Sequence, residues 1–231
     1  MLPGLRGIAI AAGALFVLSS YYPAFAKLAE TSSMIINFNG PADKNNIPKP
    51  WHLKLQKGRA DIGIIPDDHE NILHIQCRDS SFAIERDFPI VPDDFPYLTW
   101  TWKAVQLPPS GDLRKRGHND QALQLLVAFE NRKIISYVWD SNAPEGTISD
   151  ESLGWPINLA IKVIVVKSGT ADTGKWVMQS RHAYDDYKNL FHEEPPRIKG
   201  IRIQANTQYT KESSEGYIRS IVFSRGPGKG N

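Results

Sequence analysis

From residue 34 onward the chain repeats one pattern: short runs rich in β-branched and aromatic residues, each followed by a cluster of Gly, Pro, Asn, Asp or Ser. Runs of that length and composition predict strands, and their regular spacing predicts an antiparallel sandwich or barrel. The predicted strands are residues 34–38, 51–55, 60–65, 71–77, 82–88, 97–104, 122–129, 133–139, 159–166, 175–182, 200–205 and 216–223. Three pairs are predicted to fold back on each other. One turns at Arg78-Asp79-Ser80, one at Glu130-Asn131-Arg132, and one across residues 168–174. Successive strand side chains point to opposite sides, so Leu98, Trp100 and Trp102 share a face, as do Leu123, Leu125, Val127 and Phe129. One apolar and one mixed face per strand predicts an all-β fold: an antiparallel two-sheet β-sandwich, jelly-roll-like, with one short helix. The helix is expected over residues 184–191, where Tyr184, Tyr187 and Phe191 recur at helical spacing. Asp185 and Asp186 suit its first turn, and Pro195-Pro196 forbids its continuation.

The first residues follow a different pattern. Arg6 is the one charge before an unbroken apolar run over residues 8–18, which Ser19, Ser20 and Pro23 end before Ala24-Phe25-Ala26. A positive start, a short apolar stretch and an A-x-A site are the parts of a secretory signal peptide. The run is too short to span a bilayer comfortably, which takes roughly 20 apolar residues. Residues 1–26 are therefore expected to be removed. Residues 27–231, with neither an internal repeat nor a linker, are expected to form a single periplasmic or secreted domain without an integral membrane segment.

Composition narrows the chemistry. The 27 basic and 25 acidic residues leave a formal charge of +2, too little for a polyanion binder built on bulk charge. Nucleic acid is not an expected partner, because no basic groove with interleaved aromatics is apparent. The single Cys, Cys77, excludes an intrachain disulfide and any Cys-clustered metal centre. It lies on an apolar strand face and reads as a buried, inert thiol. His69-Glu70 and His74 approximate a zinc-binding helix motif at the wrong spacing and on a strand. No cofactor is expected; the one ion the sequence admits is a structural Ca²⁺ on the hard oxygens of Asp67-Asp68 and Glu70-Asn71, where a polar turn is the simpler reading. Arg114-Lys115-Arg116-Gly117-His118 reads as a solvated basic loop.

The blocks Leu98-Thr99-Trp100-Thr101-Trp102-Lys103, Asp112-Leu113-Arg114, residues 120–129, Tyr137-Val138-Trp139 and residues 186–196 occur in an order that resembles the exported bacterial family catalogued as domain of unknown function 3047. The resemblance implies export and one compact domain, and brings no established activity. The family carries acidic residues where this chain reads Asn206-Thr207-Gln208-Tyr209-Thr210. The general layout also resembles jelly-roll glycan-binding modules, a likeness of fold that does not itself imply function.

Function is expected on the long irregular stretches, residues 107–120 and 140–158, and on the strand ends beside them. The leading expectation is a non-catalytic protein that binds a polysaccharide or envelope glycan. Tyr137, Trp139 and Trp155 would stack on sugar faces, while Asp120, Gln124, Arg181 and His182 would supply hydrogen bonds. An alternative is a carbohydrate-active hydrolase or lyase that, of the loop and strand-end acids Asp112, Asp120, Asp140 and Glu145, uses Asp120 or Asp140 as acid/base, with Arg181 steadying an anionic substrate. No strand signature links any two of these acids in the way glycoside hydrolysis requires, so the reading leans away from an enzyme. A structural envelope protein without a small-molecule site is the third reading.

Overall fold

The computed structural model describes residues 32–68 and 70–228. Among them, thirteen strands and one helix build two facing sheets. In chain order the strands are β1 (Ser33–Ile36), β2 (His52–Lys57), β3 (Asp61–Asp67), β4 (Glu70–Arg78), β5 (Ser81–Ile90), β6 (Tyr97–Gln106) and β7 (Gln121–Phe129). They continue with β8 (Lys133–Asp140), β9 (Ile148–Asp150), β10 (Ala160–Ser168) and β11 (Val177–His182). After helix α1 (Ala183–Phe191) come β12 (Ile198–Asn206) and β13 (Ser213–Ser224). The six-stranded sheet runs β11-β6-β13-β4-β3, with β1 paired to the far end of β13. The seven-stranded sheet runs β2-β5-β12-β7-β8-β10-β9. The signal-peptide segment and His69 lie outside the described residues. No described helix is long and apolar enough to cross a membrane.

The period-2 pattern produces one dry layer between the sheets. Leu73, Ile75, Leu98, Trp100, Trp102 and Ile218 face Leu123, Leu125, Val127, Ile135, Tyr137 and Trp139 in one core cluster. The aromatic rings interlock across the gap. Trp100 lies 5.3 Å from Tyr137, and Trp102 lies 5.9 Å from Trp139, centroid to centroid. Gly216 is fixed by this closeness: a Cβ there would lie 2.8 Å from Leu123 Cγ of the opposite sheet. Cys77 is buried as expected, near Ser80 and Thr207, and burial pushes its thiol pKa up.

The sandwich departs from the sequence expectation at three connections. Residues 71–77 and 82–88 form no hairpin. β4 belongs to the six-stranded sheet and β5 to the seven-stranded one, so Asp79-Ser80 is an arch between layers. Thr207 holds that arch through its amide on the Ser80 carbonyl at 2.8 Å. The same is true of β10 and β11, expected to pair across residues 168–174. Here the chain again changes sheet, and β11 pairs with β6. Its turn is tied to both layers, by Gly169 N on Asp140 O at 3.0 Å and by Gly174 N on Ala104 O at 2.7 Å. Finally, β10 runs parallel to β8, and the short strand β9, hidden within residues 140–158, completes that edge. The hairpin of β7 and β8 is as predicted.

Helix α1 begins one residue before the predicted start. His182 caps it, its Nδ1 accepting from Asp185 N at 3.2 Å. Asp186 anchors it to the sandwich, accepting from Arg181 Nε and from Tyr137 Oη, each at 2.9 Å. Burial and the Asp186 carboxylate raise the Tyr137 phenol pKa, which keeps it a donor.

Candidate functional site

The outer face of the seven-stranded sheet is where polar side chains are most deeply buried without belonging to the core. On β12, β7 and β8 the outward positions are in register. Gln204 lies opposite Gln124, and Arg202 opposite Leu126 and, one strand further on, Ser136. The loops on either side rise above this row. Residues 107–120 and 140–147 cover one end, where Leu113 and Ala143 pack on Val138, Val163 and Val165. The β9–β10 loop contributes Leu153 and Leu159, which pair across its base. The β12–β13 loop contributes Gln208 and Tyr209. The result is a cavity of about 290 Å³, floored by Leu126, Ile134 and Ile161 and edged by amide side chains. A second cavity of about 250 Å³, reaching His52 and Glu85, shares Leu126, Ile134 and Arg202 with it. Together they form one trough across the sheet.

The amides in the trough are organised by each other. Gln124 Nε2 donates to Gln121 Oε1 at 2.9 Å and also to Asn206 Oδ1. Gln121 Nε2 donates to Asn119 Oδ1 at 2.8 Å. Three groups are left over. Ser136 Oγ and Arg202 Nε, with Arg86 Nε at the His52 end of the trough, are buried with no hydrogen-bond partner among the described residues. The Arg202 guanidinium has Glu85 at 3.7 Å, and burial lowers its pKa while Glu85 opposes that shift. An unpaired buried polar atom costs about 1–3 kcal/mol, so this trough carries a demand for hydrogen bonds that the chain does not meet itself.

Three buried aspartates set the loops around it. Asp120 accepts from Asn206 Nδ2 at 3.0 Å, from the amide of Tyr209 at 3.2 Å, and from Thr210 N and Oγ1 at 2.7 Å each. It thereby fixes the segment that carries Gln208 and Tyr209. Asp140 accepts from the amides of Leu113, Asn142 and Ala143 at 3.1, 2.9 and 2.7 Å. Asp112 receives Arg114 Nε and Nη2 at 2.8 Å each, which holds its carboxyl well below the usual carboxylate range. Arg114 is thus the partner of Asp112, while its side chain, like those of Lys115 and Arg116, stays exposed to solvent. Glu145 lies on the exposed side of its loop and pairs with Lys167 at 3.3 Å.

The residues expected to form one groove are dispersed. Tyr137 and Trp139 are each 0% exposed and pack in the core, so neither has a face to offer a sugar. Their parity on β8 is that of Ile135, which the facing sheet also covers. Arg181 and His182 lie on β11 of the other sheet and are spent on Asp186 and the helix cap. Gln124 is in the trough, Asp120 fixes one of its walls, and Trp155 stands 86% exposed at the tip of the loop whose base lines it. No motif in the sequence marks Ser136, Arg202 or Gln204, and Asn206 stands out only as the start of the segment where the family carries acids. Their shared outward parity became visible only once β12, β7 and β8 were known to be neighbours.

At the calcium candidate, Asp67 pairs with Arg219 at 2.6 Å, and Asn71 Nδ2 donates to the Phe38 carbonyl. Among the described residues no group of three or more His, Cys, Asp or Glu side chains is placed to hold a metal.

No curated protein shows significant sequence similarity to the chain. Among solved structures it is similar to the family 11 carbohydrate-binding module of a cellulosomal cellulase of Clostridium thermocellum, at a TM-score of 0.41 and 10% identity, covering 83% of this chain and 94% of that one. It is also similar to the family 11 xylanase from Neocallimastix patriciarum, at a TM-score of 0.38 and 9% identity over 85% and 98% of the two chains. The winged bean acidic lectin complexed with methyl-α-D-galactose gives a TM-score of 0.40 and 11% identity over 83% and 98%. In sequence, the model of the family described as "Protein of unknown function (DUF3047)" matches residues 49–222, and the chain belongs to that family.

Proposed function

We propose that the protein is an exported, non-catalytic glycan-binding β-sandwich of the cell envelope, and that it holds a polysaccharide segment in the trough on the outer face of its seven-stranded sheet. The observation that carries this reading is the pair of buried, unpartnered polar atoms, Ser136 Oγ and Arg202 Nε, beside a ring of amides over an apolar floor. A sugar suits such a lining. Its hydroxyls both donate and accept, as side-chain amides do, and its C–H faces rest on aliphatic or aromatic surface. Trp155, exposed beside Leu153 and Ile157, supplies a ring at the rim that a bound chain can cover.

The non-catalytic part of the reading is supported by the carboxylates. Asp112, Asp120 and Asp140 are each occupied by amides or cations that hold loops, which leaves none of the three free as a general acid. Export is supported by the charge and hydrophobic pattern of residues 1–26.

The test is isothermal titration of the protein against a panel of soluble neutral and acidic polysaccharides, repeated with Gln204→Ala. Saturable binding of at least one polysaccharide, weakened about tenfold by the substitution, is the expected outcome. Absence of binding across the panel contradicts the proposal.

A further inference from the structure

The outer face of the six-stranded sheet is, for most of its area, closed on itself. His74 stacks on Tyr217 at 4.6 Å and meets Glu215 at 2.9 Å. Lys103 Nζ sits 4.6 Å from the Tyr217 ring and 4.7 Å from that of Trp176. Arg219 covers Trp176 at 4.2 Å and pairs with Asp67. At the end where β3, β4, β6 and β13 stop, this closure fails. A cavity of about 400 Å³ opens there, with Arg59 and Arg78 at its edge and Gln76 and Gln106 among its lining.

Neither Arg59 nor Arg78 has a side-chain hydrogen bond, ion pair or ring contact among the described residues, although ion pairs occupy Arg114, Arg181, Arg202 and Arg219. Ser214, also in the lining, is buried and its Oγ has no hydrogen-bond partner among the described residues. Two carboxylates share the cavity. Glu215 is committed to His74, to the Tyr217 hydroxyl at 3.1 Å and to the Gln76 side chain, whereas Asp61 has no side-chain partner among the described residues. In the sheet register Asp61, Gln76, Glu215 and Gln106 form one row across four strands. Two free guanidinium groups beside a row of amides and a free carboxylate match a molecule with an oxyanion at one end and hydroxyls along its body.

We propose that this pocket binds a sugar bearing an oxyanion, a carboxylate or a phosphate, with Arg59 and Arg78 on the anion and Gln76, Gln106 and Asp61 on the hydroxyls. Guanidinium groups suit both anions, because their fork of N–H donors matches two oxygens at once. The site lies on the opposite sheet from the trough and does not rest on it.

The test is isothermal titration of the full chain with glucuronate, glucose 6-phosphate and glucose. At least one of the two anions should bind saturably, and the tighter of them identifies the preferred group. Glucose should bind at least about tenfold more weakly. Arg59→Gln and Arg78→Gln should each weaken anion binding about tenfold, since a hydrogen bond to a charged group is worth about that factor. Both side chains are exposed, so neither change should move the melting temperature. No saturable binding of either anion, glucose binding as tightly as the anions, or wild-type affinity in either variant would overturn the assignment.

Discussion

The two outer faces of the sandwich meet solvent in opposite ways. On the six-stranded sheet the central charges and rings satisfy each other: Lys103 between two rings, Arg219 on Trp176 and Asp67, His74 on Glu215. On the seven-stranded sheet, loops wall in the central polar groups, and the amide network ends on Ser136 Oγ and Arg202 Nε without closing. Polarity alone does not mark a binding surface, since both faces are polar. Among the described residues, buried polar atoms without a hydrogen-bond partner occur in both sheets, Arg219 Nε and Ser214 Oγ in one and Ser136 Oγ and Arg202 Nε in the other. The distinguishing feature is that the latter two stand in or beside a loop-walled trough with a ring of amides, where a ligand can offset their cost.

The comparison can be broken most forcefully at the layer between the faces. Trp139→Ala should cost about 3–5 kcal/mol, as large aromatic deletions in cores do. For a chain of this size that lowers the melting temperature by roughly 10 °C. Affinity for a trough-bound polysaccharide, measured on the folded fraction, should not change. A loss of affinity without a loss of stability would place Trp139 at the ligand and reverse the assignment of faces. Next comes Trp155→Ala. This ring is exposed, so stability should stay within about 0.5 kcal/mol, while affinity falls roughly tenfold if the ring stacks on sugar. Unchanged affinity would confine recognition to the floor of the trough.

Ser136→Ala is a smaller change with a sharper signature. Removing a buried hydroxyl that lacks a partner should stabilise the fold by about 1 kcal/mol and weaken binding severalfold. If thermal melting shows destabilisation instead, the hydroxyl is satisfied in the free protein, and the contrast between the two faces disappears. The smallest effect concerns pH. Arg114 depresses the Asp112 carboxyl, so the folded state binds its proton less readily than the unfolded state does. The resulting stability is fully present above the unfolded value of about 4 and declines as pH falls below it. Hydrogen exchange should show the Lys115 and His118 amides, which close this loop, losing protection between about pH 4 and pH 2. Protection that stays flat over this window would mean that the Asp112–Arg114 pair does not hold the loop.

The inner layer was legible in the chain because a dry core admits only one parity per strand: Leu98, Trp100 and Trp102 turned inward as their alternation requires. β8 misled because both of its faces contain apolar residues. Ile135, Tyr137 and Trp139 alternate with Ser136 and Val138, and only the aromatic partners on β6 decide which set is enclosed. Hairpin and arch were likewise indistinguishable. Glu130-Asn131-Arg132 returns the chain to its neighbour, whereas the comparably short Asp79-Ser80 connection sends it to the opposite sheet. The trough depends on that missing information. Gln124, Ser136 and Gln204 come from three strands, and β12 enters between β5 and β7 from far along the chain. Trp155 was visible from sequence as an aromatic residue in a long loop, and the structure leaves it exposed there.

The central claim is that the unclosed polar network on the seven-stranded sheet is the glycan site. It is tested most directly by heteronuclear NMR of the labelled protein titrated with a polysaccharide oligomer that binds in the panel. Side-chain amide resonances of Gln121, Gln124, Gln204 and Asn206, with the Trp155 indole N–H, should shift together and saturate at one dissociation constant. Shifts confined to β3, β4, β11 or β13, with those amide signals unmoved, would contradict it.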